Sequence, residues 1–207
     1  MTHVKFCGIT SLDDAELCLG HDPWALGLIF VAGSPRRCNQ SDAARIVGAL
    51  RRRVLFAGVF VNATLDHVVH TAEALDLGLV QLHGDEGPSY AAEVARRTGA
   101  KVIKAARVRS RADVVALQPF RTDFHLLDGG GGDTFEWSLV RARRSEVPLI
   151  TAGGLSAGNV GAAIAATQPF AVDVASGVEA SPGKKDPEKV AAFAEAVVRA
   201  DHEVPVA

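Results

Sequence analysis

Apolar residues fall in short continuous runs along the whole chain rather than in alternation with polar ones. In order, the runs are VKFCGI (4–9), ALGLIFV (25–31), VLFAGVFV (54–61), LVQLHG (79–84), KVIKAARV (101–108), FHLLDG (124–129), PLITAGG (148–154) and FAVDVASG (170–177). Runs that are apolar at successive positions predict strands covered on both faces, as in a parallel sheet. Between them lie polar stretches with helix signals. SLDDAELCL starts at Thr10 or Ser11 with acidic residues in its first turn, where the helix dipole favours them. Ser41 precedes DAARIVGAL and Ser156 precedes AGNVGAAIAA, each a candidate N-cap. Asp186-Pro187 opens PEKVAAFAEAVVRA with proline at the first helical position. In TLDHVVHTAEAL, Leu65, Val68, Val69, Ala72 and Leu75 recur at helical spacing.

Eight strand–helix units without a composition break predict an α/β protein, a (β/α)8 TIM barrel forming a single domain over residues 1–207. An open doubly wound sheet is the rival, but such sheets usually have about five or six strands. The core is expected over about residues 4–200, with the unpatterned tail DHEVPVA (201–207) frayed.

Composition narrows the function classes. The chain is 48% hydrophobic and 22% charged, and its 22 Lys+Arg against 24 Asp+Glu leave a net charge of -2. No basic surplus exists to attract a phosphate backbone, so no nucleic-acid partner is expected. Cys7, Cys18 and Cys38 form no CxxC pair and an odd count, which argues against a disulfide framework or a zinc cage and suits a reducing cytoplasm. No run approaches the ~20 residues of a bilayer span, and MTHVKFCGIT lacks the apolar stretch of a signal peptide. The expectation is a cytoplasmic protein with no membrane partner.

In such a barrel, function belongs at the carboxyl ends of the strands. Cys7 lies on the first run; Ser34, Pro35 and Arg36 follow the second, and Asn62 the third. Gln81 and His83 lie on the fourth, Lys104 and Arg107 on the fifth, Asp128 on the sixth. Gly153 and Gly154 end the seventh, while Asp173, Ser176 and Gly177 lie on the eighth. TAGGLSAGNV places two glycines between a strand and a helix start, so backbone N–H groups can approach an anion closely, and VASGVE offers a second small-residue turn. These two loops are where barrel enzymes most often hold phosphate.

Cys7 could act as base or nucleophile if its pKa fell from ~8.5 toward neutrality, although alone it reads first as a small core residue. Asp128 ends an apolar strand, where burial without a partner is costly; alone, Asp-Gly is a common turn pair. Together, a thiol and a carboxyl group can divide base and acid roles. The Arg36 fork suits a carboxylate or phosphate, or else is solvated beside Arg37. His83, as a histidine, is a candidate acid–base group, or simply packs at the rim. Cys18 and Cys38 read as structural, and Arg51, Arg52 and Arg53 as a solvated helix end.

KFCGIT, SPR, GVFVN, QLHG, LLD, the glycine run before TFEW, AGGL–NV and PFAVDVASGVEASPGKKD occur in register from about Lys5 to Phe193. Together they resemble the phosphoribosylanthranilate isomerase family. That resemblance implies an Amadori rearrangement in tryptophan biosynthesis, from N-(5′-phosphoribosyl)anthranilate to 1-(2-carboxyphenylamino)-1-deoxyribulose 5-phosphate, with no metal or organic cofactor. It implies Asp128 as general acid and Cys7 as general base. Arg36 would face the anthranilate carboxylate, Gln81 and His83 would line the substrate pocket, and Gly153, Gly154, Asp173, Ser176 and Gly177 would hold the phosphate. The protein would work as a monomer or homodimer on a small phosphosugar. Three departures stand out. LLDGGGGDTFEW has almost none of the residues the family usually places between the aspartate and its glycines. Gly131 and Asp133 replace a family threonine and a basic residue, and Ala175 replaces a frequent serine. The alternatives are a related phosphosugar isomerase, of the histidine pathway or accepting both substrates, and a phosphate-binding barrel impaired in catalysis. The histidine-pathway enzymes carry aspartate where this chain has Cys7.

Overall fold

Residues 1–203 are described in a computed structural model of the chain. Strand β1 (His3–Cys7) pairs in parallel with β2 (Ala25–Ile29) on one side and β8 (Ala171–Val174) on the other. Strands β3 (Leu55–Phe60), β4 (Leu79–Leu82), β5 (Lys101–Arg107), β6 (Phe124–Asp128) and β7 (Leu149–Ala152) complete a closed ring in chain order. Helices α1 (Leu12–Leu19), α2 (Gln40–Leu50), α3 (Leu65–Leu75), α4 (Pro88–Thr98), α5 (Arg111–Val115), α6 (Val160–Thr167) and α7 (Pro187–Glu203) surround it. The expected (β/α)8 barrel is the observed one.

The continuous apolar runs have a direct cause: both faces of each strand are covered. Outward residues such as Phe6, Leu28, Phe60, Val80, Leu82 and Val102 pack against the helices in one core cluster. Inward residues such as Ala57, Leu79, Ile103, Leu126 and Ile150 fill the barrel in a second. At the amino-terminal end, Trp24, Phe124 and Phe170 close the barrel with ring centroids 5.0 to 5.2 Å apart. Moving up by two residues reaches the opposite mouth on the same inward face, so Cys7 follows Lys5 and Asp128 follows Leu126.

Several boundaries differ from the sequence expectation. Asn39, not Ser41, caps α2: its Oδ1 accepts the Asp42 N–H, and Ser41 Oγ donates to the same oxygen. Helix α6 starts only at Val160; Asn159 takes the position expected of Ser156, accepting the Ser156 N–H and donating to Gly154 O. The predicted strand runs overshoot at their carboxyl ends, since His83, Gly129, Gly153, Ser176 and Gly177 lie beyond the ladders. Ser176–Val178 is a 3-10 turn, followed by a hairpin of β9 (Glu179–Ser181) and β10 (Lys184–Lys185). Between β6 and β7 there is no α-helix but a 3-10 segment, Trp137–Ala142. Its Trp137, Leu139, Val140 and Ala142 pack, partly buried, against the outer core. Helix α7 continues into the stretch expected to fray, with Asp201 accepting hydrogen bonds from Thr2 N and Oγ1 at 2.6 and 2.7 Å. The rest of that stretch, 204–207, lies outside the described residues. Among the described residues no helix is long and apolar enough to cross a membrane.

Candidate active site

The carboxyl-terminal mouth of the barrel opens into a cavity of about 380 Å³. Its lining brings together Cys7 from β1, Arg36 from the loop after β2, Gln81 and His83 from β4 and its loop, Asp128 from β6, Gly153 and Gly154 after β7, and Asp173 and Ser176 at β8. Residues far apart in sequence thus meet at one rim. Gly177 does not line the cavity. A side chain there would collide with the Leu155 carbonyl, so Gly177 lets the two loops after β7 and β8 pack together.

Cys7 is buried, and its sulfur has room because Gly27 stands beside it in register on β2; a Cβ at Gly27 would lie 2.7 Å from Sγ. Below Cys7 on the same inward face, the fully buried Lys5 ammonium donates to Asp173 Oδ1 at 2.9 Å. From the other side, Lys185 Nζ donates to the Cys7 carbonyl at 2.7 Å. Burial pushes the Cys7 thiol up, and the positive charges of Lys5 and Lys185 offset that only in part. Burial by itself would lower the Lys5 ammonium, yet Asp173 and Cys7 bring it above its ordinary value. The Asp173 carboxylate is thus engaged with a cation beneath the thiol while still lining the cavity. Cys18 and Cys38 lie outside the cavity, and burial pushes their thiols up to about 12 and about 11.

Asp128 accepts the Gly130 N–H at Oδ1, 2.7 Å away, and its Oδ2 lies 3.1 Å from His83 Nε2. His83 Nδ1 lies in turn 2.8 Å from Gln81 Nε2. With the amide donating, Nδ1 accepts and Nε2–H points its proton to Asp128. Burial would raise the Asp128 carboxyl, but His83, Gly130 and Arg107 together hold it below the usual carboxylate range. Gly153, with φ +85°, is the neighbour that makes room: a Cβ there would lie 2.6 Å from Asp128 Oδ1. The loop carrying His83 is pinned by a buried ion pair. Glu86 accepts the N–H groups of Asn62 and Gly84 as well as Lys104 Nζ, which also donates to Gly84 O.

Arg36 is already forked onto a protein carboxylate. Its Nε and Nη2 donate to Glu179 at 2.7 to 3.0 Å, which leaves the Nη1 edge without a protein partner among the described residues. Glu179 is almost fully buried and also meets Lys185 Nζ at 3.3 Å. Burial would raise its carboxyl, but Arg36 and Lys185 bring it below the ordinary value. Sequence reading did not identify Glu179, Lys185 or Lys5 as parts of the site. Their partners are 143, 178 and 168 residues away in the chain, respectively, and a charged residue gives no local sign of such a partner. Among the described residues, no three of His, Cys, Asp and Glu are grouped so as to hold a metal ion.

A family model described as N-(5'phosphoribosyl)anthranilate (PRA) isomerase matches residues 4–196. The chain belongs to that family. An N-(5'-phosphoribosyl)anthranilate isomerase of Citrifermentans bemidjiense is 46% identical over 197 residues, covering 92% of this chain and 94% of the relative. The crystal structure of phosphoribosyl anthranilate isomerase from Thermus thermophilus superposes with a TM-score of 0.88 at 33% identity, over 96% of this chain and 99% of the other. A phosphoribosyl anthranilate isomerase solved in complex with reduced 1-(o-carboxyphenylamino)-1-deoxyribulose 5-phosphate gives a TM-score of 0.85 at 37% identity, over 96% of this chain and the whole of the other. The relationship extends through both ends of the barrel, so the PRA isomerase family accounts for the scaffold as well as the mouth.

Proposed function

We propose that this enzyme isomerises N-(5′-phosphoribosyl)anthranilate to 1-(2-carboxyphenylamino)-1-deoxyribulose 5-phosphate in tryptophan biosynthesis, with Asp128 as general acid and Cys7 as general base. The observation that carries the assignment of roles is that these two side chains, from β1 and β6, line one cavity between the glycine turn after β7 and the 3-10 turn after β8. Asp128 protonates the ring oxygen as the C1–O bond breaks, and the nitrogen lone pair forms the C=N bond of a Schiff base. The Cys7 thiolate then removes the proton from sugar carbon 2. That electron pair forms a carbon–carbon double bond and returns the C=N pair to nitrogen, giving an enolamine that tautomerises to the ketone.

The sugar phosphate would sit on backbone N–H groups around Gly154 and at the start of the Ser176–Val178 turn, where peptide dipoles favour an anion without a charged side chain. Arg36 would meet the anthranilate carboxylate through its free edge while Glu179 holds the other. Asp173 would act on the thiol through Lys5 rather than on the phosphate.

The test is consumption of phosphoribosylanthranilate, followed by its fluorescence, with the histidine-pathway aminoaldose run alongside. Cys7→Ala and Asp128→Asn should each lose at least about 10³-fold in kcat, with an unchanged circular dichroism spectrum, because each removes a proton-transfer group rather than packing. Near-normal turnover by either variant would refute its role, and preference for the aminoaldose would reassign the substrate.

A further inference from the structure

Asp128 has a difficulty as an acid that its own position creates. It must present a proton to the ring oxygen, yet three neighbours favour its ionised form: His83, the Gly130 N–H and Arg107. The proton nearest to Asp128 Oδ2 is the one on His83 Nε2, at 3.1 Å. A second observation concerns the far side of the ring. Gln81 is buried, its Nε2 lies 2.8 Å from His83 Nδ1, and its Oε1 is buried with no hydrogen-bond partner among the described residues. A buried carbonyl oxygen left unpaired is costly. Turned over about its terminal bond, the same amide would offer Oε1 to an Nδ1–H and so accept a doubly protonated ring.

We propose that the proton Asp128 delivers is stored on His83, and that Gln81 turns its amide to suit either protonation state of the ring. In the loaded state His83 is an imidazolium held between Gln81 Oε1 and the Asp128 carboxylate. As substrate reacts, the Nε2 proton passes to Asp128 Oδ2, and Asp128 gives its proton to the ring oxygen as C1–O breaks. Asp128 then remains a carboxylate and His83 a neutral ring, with Gln81 turned back to donate to Nδ1. The pair reloads from water, since His83 and Asp128 keep 26% and 21% of their side-chain surface exposed at the mouth. The surroundings of the pair mix both signs. Arg107 lies beside Asp128 from β5, Asp85 and the Glu86–Lys104 pair belong to the loop after His83 and its anchor, and Cys7, Arg36 and Asp173 line the same cavity. The ion pair at Glu86 fixes the loop and keeps the ring at a constant distance from its carboxylate.

This inference rests on Asp128 being the acid, and the test separates the two. His83→Gln keeps an N–H donor at the position of Nε2 toward Asp128 but has no ring to protonate. Its kcat/KM, divided by that of the parent protein, should be about 10²-fold below one at pH 8 and should recover at least about tenfold by pH 5, as Asp128 begins to take its proton directly from water. Gln81→Glu fixes an acceptor against Nδ1 and holds the ring charged, so its ratio should change in the opposite direction and rise with pH. A role of His83 confined to packing or substrate contact gives a ratio independent of pH, and that result in both variants would overturn the proposal. Asp128→Asn should be inactive at every pH. Activity there would remove the acid itself, whereas inactivity together with flat His83 and Gln81 ratios would remove only the proton store.

Discussion

At rest, Cys7 and Asp128 favour the protonation states opposite to those the proposed mechanism uses. Burial favours the thiol and hydrogen bonding favours the carboxylate, so the reactive combination of thiolate and carboxylic acid is a minor form carrying the same number of protons. On the proposed reading, substrate recognition is also shared between residues: Arg36 works as half of a pair, since removing it would take a cation from the substrate and takes the main partner from the buried Glu179. Arg36→Ala should therefore do two things at once: raise KM by tenfold or more, and lower unfolding stability by about 1–3 kcal/mol. A substrate titration and a denaturant melt of the same variant check both. An unchanged KM would exclude Arg36 from the substrate, and an unchanged melt would mean that Lys185 alone satisfies Glu179.

The elements position these groups through what they omit as much as through what they carry. Gly27 on β2 vacates the space that the Cys7 sulfur occupies, and Gly8, at φ +76°, lets the Arg36 stem pass within what would be 2.9 Å of its missing Cβ. Gly27→Ala should keep the barrel ladder, since the added methyl points inward, but shift the sulfur. A displacement of about 1 Å is expected to reduce kcat by about 10²-fold, with little change in KM or in thermal unfolding. Unaltered kcat would mean the thiol tolerates displacement. The strands themselves were legible, because burial on both faces leaves continuous apolar runs such as ALGLI and LFAGVF, and so were Cys7 and Asp128 at their ends. The caps and partners were not. Ser41 and Ser156 looked like caps as well as Asn39 and Asn159 do, and only the three-dimensional turn decides between them. Lys5, Glu179 and Lys185 acquire meaning from the closure of β1 onto β8, which no local pattern encodes.

On the scale of the whole molecule, acid should unfold this barrel in stages. His125 is buried on β6 with Nε2 3.3 Å from Phe120 O, and burial lowers it to about 4, helped by the nearby Arg143. Its unfolded counterpart binds a proton near pH 6.5, so between pH 6.5 and about 4 the unfolded chain holds more protons and stability falls as pH falls. The loss is on the order of 3 kcal/mol by pH 4. Glu86 and Glu179 follow: their folded carboxyls sit below the ordinary value, so their contribution is present above it and disappears as pH drops through the lowered values. Urea melts from pH 7 to 4 should show the decline, and His125→Gln should flatten its upper part. A slope that survives in the variant would assign that window to other groups.

The ring-packed plug of Trp24, Phe124 and Phe170 has a kinetic corollary. On the proposed mechanism, with that end sealed by hydrocarbon, a bound phosphosugar would stopper the remaining opening, and the hydrogen that Cys7 lifts from sugar carbon 2 would return to carbon 1 with no solvent to trade places with. Turnover in heavy water should then leave much of the original hydrogen inside the product, in an amount set by how long the stopper stays in place.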